Sequence, residues 1–433
     1  MKALLVLALL AAQAAEARVT AIVGGRVSTA ALSGAQGFDT ATVVIDRGIV
    51  IAIGPNVAVP AGATVIDATG KWVTPGIFAG MSFIGAAEVN AVDNTNETRS
   101  PKSPFSAAID LSKGINPRAS QIAVERLGGI TRAAVAPIPS REIFGGQGVV
   151  LNLGAGAKTV QVPRAFQIVV FGESGAQLAG GSRAVADLNF RNALREAQRY
   201  AANPAAYGDG RDRDALLTRL DAAALVPVVR GEQRLLVNVE SAPDILNVLA
   251  LRGEFPGLRL VLLGAREGWM VADQIAASNV PVIIQPMLDN PNSFEALAST
   301  RNNAGRLVKA GVIVGLGIIE QDASFQARDL THYAGNMVAQ ARIPGGVGLT
   351  WDQALATVTR APAQIWGVTD TGSLQVGKRG DVVVWDGDPL ELTSAPTAIL
   401  IDGDLQPMTS RQTELRDRYL GLKLQDAPLA YRR

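Results

Sequence analysis

The sequence predicts an α/β protein built on a (β/α)8 barrel of the TIM type, flanked at both chain ends by β-rich segments. The central stretch of roughly 290 residues is close to the about 250 typical of eight βα units with insertions. Within it, amphipathic helical segments over residues 119–127, 185–200, 214–224 and 244–251 alternate with short apolar runs suited to buried parallel strands. At both ends, β-branched runs separated by Gly, Pro, Asn and Asp turns read instead as small antiparallel sheet.

Residues 1–17 stand apart. Lys2, an apolar run over 3–12 and the small-x-small triplet Ala15-Glu16-Ala17 before Arg18 have the layout of a cleaved secretory signal peptide. A soluble exported protein follows, periplasmic if the source is Gram-negative. No other stretch is apolar for long enough to span a bilayer. With no cysteine there is neither a disulfide framework nor a lipid-attachment site. The remainder has the composition of a compact globular chain, with 48% hydrophobic residues, 18% charged and 45 glycines among 433. The balance of 40 Lys and Arg against 39 Asp and Glu, without a basic run interleaved with aromatics, argues against nucleic acid or anionic membrane as partners.

Strand-like runs follow at 20–27, 42–45, 49–55 and 64–67. Residues 71–83 carry a Pro75-Gly76 turn into an apolar strand, and the polar, proline-bearing segment 91–117 reads as a long loop after it. The glycine-rich stretch Phe144-Gly145-Gly146-Gln147-Gly148-Val149-Val150-Leu151 lacks the spacing and the Lys-Ser/Thr of a phosphate loop, so it reads as a turn at the barrel rim. Parallel-strand runs are expected at 131–135, 235–239, 258–263, 280–284 and 312–316. Near the C-terminus, Gly372-Ser373-Leu374-Gln375-Val376-Gly377-Lys378-Arg379-Gly380-Asp381-Val382-Val383-Val384-Trp385-Asp386-Gly387-Asp388-Pro389 is followed by the run 398–403. Residues 407–433, with alternating charges around Leu415 and Tyr419, read as a terminal helix lying on the barrel.

Those C-terminal residues, together with the Pro75-Gly76 strand, resemble the amidohydrolase superfamily, including its imidazolonepropionase-like members. The resemblance implies that residues 18–70 and 370–406 form one discontinuous β-sandwich beside a barrel spanning 71–369. It also implies a hydrolase acting on carbon–nitrogen bonds other than peptide bonds. In that family the first strand ends in His-x-His, the fourth carries a bridging lysine or glutamate, the fifth and sixth end in histidine and the eighth ends in aspartate. The ligands hold divalent metal that ionises water, and the aspartate shuttles the proton.

Carried over residue by residue, the resemblance puts other side chains at those places. Met81 and Phe83 stand at the first pair, with Ala79 where an acid usually precedes them; Ile168 stands at the lysine, Asn238 and Glu240 on the fifth strand, Gly264 on the sixth, and Ile319 at the aspartate with Glu320 next to it. No lysine lies between Lys158 and Lys309, so a shifted alignment does not restore one. Thioether, phenyl and alkyl groups do not replace imidazoles on a hard or borderline metal. The only histidine, His332, falls on a helix after the eighth strand, and one imidazole cannot build a zinc site. Oxygen-ligated magnesium or calcium, drawn from Glu173, Glu240, Glu267 and Glu320, is the remaining metal option; otherwise no cofactor is expected. There is no Gly-x-Ser-x-Gly elbow, no cysteine and no strand-end histidine for nucleophilic catalysis.

The expectation is therefore a pseudoenzyme on a hydrolase scaffold, with a small amide- or peptide-like ligand or a partner subunit. The resemblance suggests homo-oligomers, or hetero-oligomers with an active relative. The alternative is a hydrolase of amides or cyclic amides working through a non-standard metal site or without metal, with Glu240, Asn238, Glu173, Glu267 and Glu320 as its candidate residues.

Overall fold

The computed structural model describes residues 19–32, 37–88, 92–208, 215–319 and 326–420. Residues 1–17, which the sequence suggests are a signal peptide, Glu320 and residues 421–433 lie outside them. The chain opens with strands β1 (Thr20–Ser28), β2 (Gly37–Asp46), β3 (Ile49–Gly54), β4 (Thr64–Asp67) and β5 (Trp72–Pro75). The barrel strands follow as β6 (Ile77–Ser82), β7 (Ile130–Val135), β8 (Phe144–Asn152), β9 (Val160–Val170), β10 (Arg234–Val239), β11 (Arg259–Gly264), β12 (Val282–Ile284) and β13 (Val314–Leu316). The chain then returns to the first sheet with β14 (Val382–Trp385), β15 (Pro396–Ile401) and β16 (Asp404–Leu405).

Both chain ends share one sheet, in the order β16-β15-β14-β5-β1-β2-β3 with β4 paired to the first half of β1. The edge strand β3 and the turn before it reach the segment that leads into β14: Gly380 N–H donates to the Gly48 carbonyl at 2.7 Å, and Ile49 bridges Arg379. One face encloses a core of its own, with Val43 and Ile45 of β2 against Val382 and Leu400 of β14 and β15. The other face sends Val383, Trp385, Ile399 and Ile401 into the core shared with the barrel. The hydrogen bonding thus joins both chain ends in one sheet.

The second sheet runs in chain order from β6 to β13 and nearly closes into a barrel. Closure comes from Ile318 N–H donating to the Met81 carbonyl at 2.9 Å. It requires glycine on both sides of the seam. A Cβ on Gly80 would stand 2.6 Å from the Leu316 carbonyl oxygen, and one on Gly317 would stand 2.6 Å from the Met81 Cβ. Pairing is parallel from β9 through β13 and between β6 and β7. The segment read as a rim turn is a nine-residue strand, β8, antiparallel to both neighbours. All nine of its residues are buried, so no alternating pattern marked it as a strand. Its reversal replaces two βα crossovers with hairpin connections and departs from a strict (β/α)8.

The helices lie close to their expected places. Ser120–Leu127, Arg183–Ala202 and Ala242–Glu254 match the first, second and fourth segments. The third, Arg219–Val229, starts later than expected because Thr218 accepts the Asp221 N–H as its cap. The other carboxylate oxygen of Asp221 accepts the Ser106 and Ala108 N–H groups, pinning the long loop after β6. His332 sits on the helix Leu330–Gln340, 3.8 Å from Asp329. The terminal helix Arg411–Leu420 touches the helix Ser120–Leu127 but buries none of its residues, and Leu415 and Tyr419 are exposed. Among the described residues no helix is long and apolar enough to cross a membrane.

Two buried charges tie segments together. Arg132 of β7, 1% exposed, forms a two-pronged ion pair with Asp381 at 2.8 and 2.9 Å and a third contact with Asp402 at 2.7 Å, locking barrel to sheet. Glu125, fully buried, accepts the Arg328 N–H at 2.7 Å and its guanidinium at 2.9 Å. Burial pushes the Glu125 carboxyl from 4.5 up to about 7 against those two donors. The folded protein then binds the extra proton, so this group lowers stability as pH rises from 4.5 through about 7. Glu125→Gln is expected to flatten that part of the profile, measured as the denaturation midpoint from pH 5 to 8; an unchanged slope would count against it.

Candidate functional site

In a barrel of this kind the loops leaving the C-terminal strand ends build the site. Here β6, β9, β10, β11 and β13 present Met81 with Phe83, Ile168, Asn238 with Glu240, Gly264 and Ile319 there. Met81, Phe83 and Ile168 are 2%, 4% and 3% exposed and belong to one apolar cluster, against which Ile319 packs. The cluster continues down the interior through Leu263 and Ile283 to Phe166 and Trp366, whose rings stack at 4.3 Å. Trp366 Nε1–H donates to the Gly80 carbonyl at 2.7 Å, so its one polar group is satisfied inside the strand wall. The barrel is therefore packed with hydrocarbon from its strand starts up to the level of the ligand positions.

The polar remainder gathers on β10 and β11. Asn238 follows Leu236 on the face of β10 that turns to the interior, and Glu240 comes next on that face. The Glu240 carboxylate accepts the Arg266 N–H at 3.1 Å and lies 3.9 Å from the Arg266 guanidinium. Arg266 also donates to the Asn292 side chain at 2.8 Å. Gly264 closes β11 at φ +90°, and a Cβ there would stand 2.3 Å from a Glu240 oxygen. The Glu240 carboxylate thus occupies the space into which a side chain at 264 would grow. Sequence reasoning did not list Arg266 among the candidates, although its place just past a strand end was a usable signal.

Two other candidate carboxylates are engaged by partners of their own. Glu267 accepts the Ala242 N–H with one oxygen and the Ala298 N–H with the other, both at 3.1 Å, bracing a helix start against a loop. Glu173 pairs with Arg183 at 3.4 Å, and Arg183 also lies 3.8 Å from Asp244 and 4.0 Å from Glu295. Glu295 accepts the Glu173 N–H at 2.6 Å, and burial raises its carboxyl above the ordinary glutamate range. Among the described residues no group of three or more His, Asp or Glu comes together to hold a metal ion. The donor set, a thioether, a phenyl ring and two alkyl chains in a dry cluster, does not fit the divalent metal that the fold family implies.

The near-closed barrel with its polar residues on the loops after β10 and β11 defines the chain as an enzyme-type barrel scaffold. Residues 254–411 match the model of the amidohydrolase family. The chain is 24% identical over 400 residues to amidohydrolase tasK of Hapsidospora irregularis, an alignment covering 84% of this chain and 39% of that protein. It therefore spans well under half the length of that relative. Among solved structures it is similar to an amidohydrolase from Thermotoga maritima, with a TM-score of 0.78 at 23% identity over 89% of this chain and 99% of the other. It is also similar to molinate hydrolase, with a TM-score of 0.55 at 19% identity over 96% and 98%. Over residues 254–411 the chain thus matches the amidohydrolase family, and its fold is similar to that of the solved amidohydrolase.

Proposed function

We propose that this chain is a non-hydrolytic member of its superfamily, a pseudoenzyme whose barrel serves as a ligand-binding or partner subunit. The observation that carries this reading is the joining of Met81, Phe83, Ile168 and Ile319 in one apolar cluster where hydrolytic relatives are expected to hold metal and water. A metal-bound hydroxide needs a polar, hydrated pocket, and fold alone does not confer activity. The groups left for recognition are Asn238, Glu240 and Arg266, suited to hydrogen bonds with an amide- or peptide-like ligand. On the same side, Met270, Phe294 and Leu297 project from the loops after β11 and β12 at 51%, 83% and 63% exposure, which favours a partner surface.

The names of the relatives favour the alternative of an amide or cyclic-amide hydrolase. One experiment separates the two. The purified chain is loaded with zinc, manganese or magnesium, dialysed, and assayed for metal content and for turnover of an amide and lactam panel. The proposal expects less than one equivalent of metal and no turnover. Stoichiometric metal with turnover abolished by Glu240→Gln would overturn it. We further propose, from residues 1–17, that the protein acts after export, most simply in a periplasm; a mature N-terminus at Arg18 in an exporting host tests this.

A further inference from the structure

At the other end of the barrel, where the strands begin, Arg234 opens β10 and Arg259 opens β11. The parallel register sets these two residues directly beside each other. Arg252, from the helix Ala242–Glu254, joins them around a cavity of about 280 Å3, whose wall also includes Asn279 and Gln364. Arg252 is steered by a 2.5 Å hydrogen bond from its guanidinium to the Ser278 carbonyl.

Among the described residues no carboxylate pairs with Arg234, Arg252 or Arg259. Like charges on neighbouring strands repel, and a half-buried guanidinium loses hydration as well. Both effects fall on Arg234, whose guanidinium is held against the backbone at Gly367: a Cβ there would stand 2.7 Å from Nη2. Burial first, and Arg259 second, pull Arg234 below the ordinary arginine range, to about 10. Two adjacent cations and a third on the same wall, without a counter-ion around a concave space, would be stabilised by an anion seated there.

We infer that this cavity is a binding site for a small oxyanion of the phosphate class, held by the guanidinium groups of Arg234, Arg259 and Arg252. The volume suits a phosphate with a short organic substituent, at the lower edge of ordinary ligand sites. The site is separate from the mouth: Glu240 lies six positions beyond Arg234, about 20 Å along an extended strand. It also stands apart from the question of hydrolysis.

The test uses the full chain and inorganic phosphate, with ionic strength matched by chloride. Wild-type protein is expected to show a saturable rise in thermal midpoint and a measurable heat of binding. Arg259→Gln, at an exposed position, is expected to weaken phosphate binding about tenfold or more. The same variant should raise the midpoint in phosphate-free buffer, because it removes the repulsion on Arg234. Equal phosphate effects in wild type and Arg259→Gln, or an effect that chloride reproduces, would overturn the inference. Glycerol phosphate and phosphatidylglycerol vesicles form separate arms. Binding of the first alone assigns a soluble phosphate ester, and binding of both assigns a lipid headgroup.

Discussion

Replacing Met81 and Phe83 together by histidine, as a reconstruction of the family's first ligand pair, is expected to destabilise the protein by about 3 kcal/mol or more and to leave it without tightly bound zinc. Both side chains are nearly fully buried in the apolar barrel cluster. Each buried imidazole without a partner costs about 1–3 kcal/mol, and the lost packing adds to it. Of the remaining ligand places, Ile168, Gly264 and Ile319 offer no donor atoms, and the Glu240 carboxylate is already engaged by Arg266. Denaturant unfolding and metal content after dialysis measure the two halves of the prediction. Unchanged stability, or one equivalent of zinc retained, would mean that the barrel interior rearranges more readily than its packing implies.

Arg132→Met is expected to cost about 3–5 kcal/mol, the loss typical of removing one partner from a buried ion pair. The size follows from what is left behind: Asp381 is 3% exposed and would keep a buried charge without its two-pronged partner. Asp402 would keep Arg379 and Asn152, so it loses less. The substitution also predicts a change at acid pH. Burial works against the Asp402 carboxylate, but Arg132 and Arg379 outweigh it and hold its carboxyl below the ordinary 3.8. A depressed folded-state value gives stability that is present above 3.8 and lost as pH falls through the lower value. Arg132→Met should therefore shrink the acid-side loss, seen as a shallower fall in unfolding free energy below pH 4. An undiminished acid limb would assign that loss to other carboxylates.

Much of the barrel could be read locally. The short apolar runs at 131–135, 235–239, 258–263, 280–284 and 312–316 became β7, β10, β11, β12 and β13, because buried parallel strands need apolar side chains on both faces. The glycine-rich strand β8 was not legible in that way. Its glycines suggested a turn, and its reversed direction is set by pairing with β7 and β9, not by its own residues. The carboxylates divide along the same line. Glu240 lies at a strand end and remains at the mouth, whereas Glu267 is taken by N–H groups 25 and 31 residues away, which no local pattern announces.

The sequence by itself determined that the chain is an α/β protein with strand-forming ends, and that Met, Phe, Ile and Gly stand where a hydrolytic relative would be expected to carry ligands. These are matters of composition and order along the chain. Only the tertiary structure decided that four of those residues share one dry cluster, that the end segments join in one sheet locked by Arg132, and that Arg234 and Arg259 meet without a carboxylate. Each depends on strand register and on hydrogen bonds between segments far apart in the chain, and such partners become neighbours only when the barrel closes.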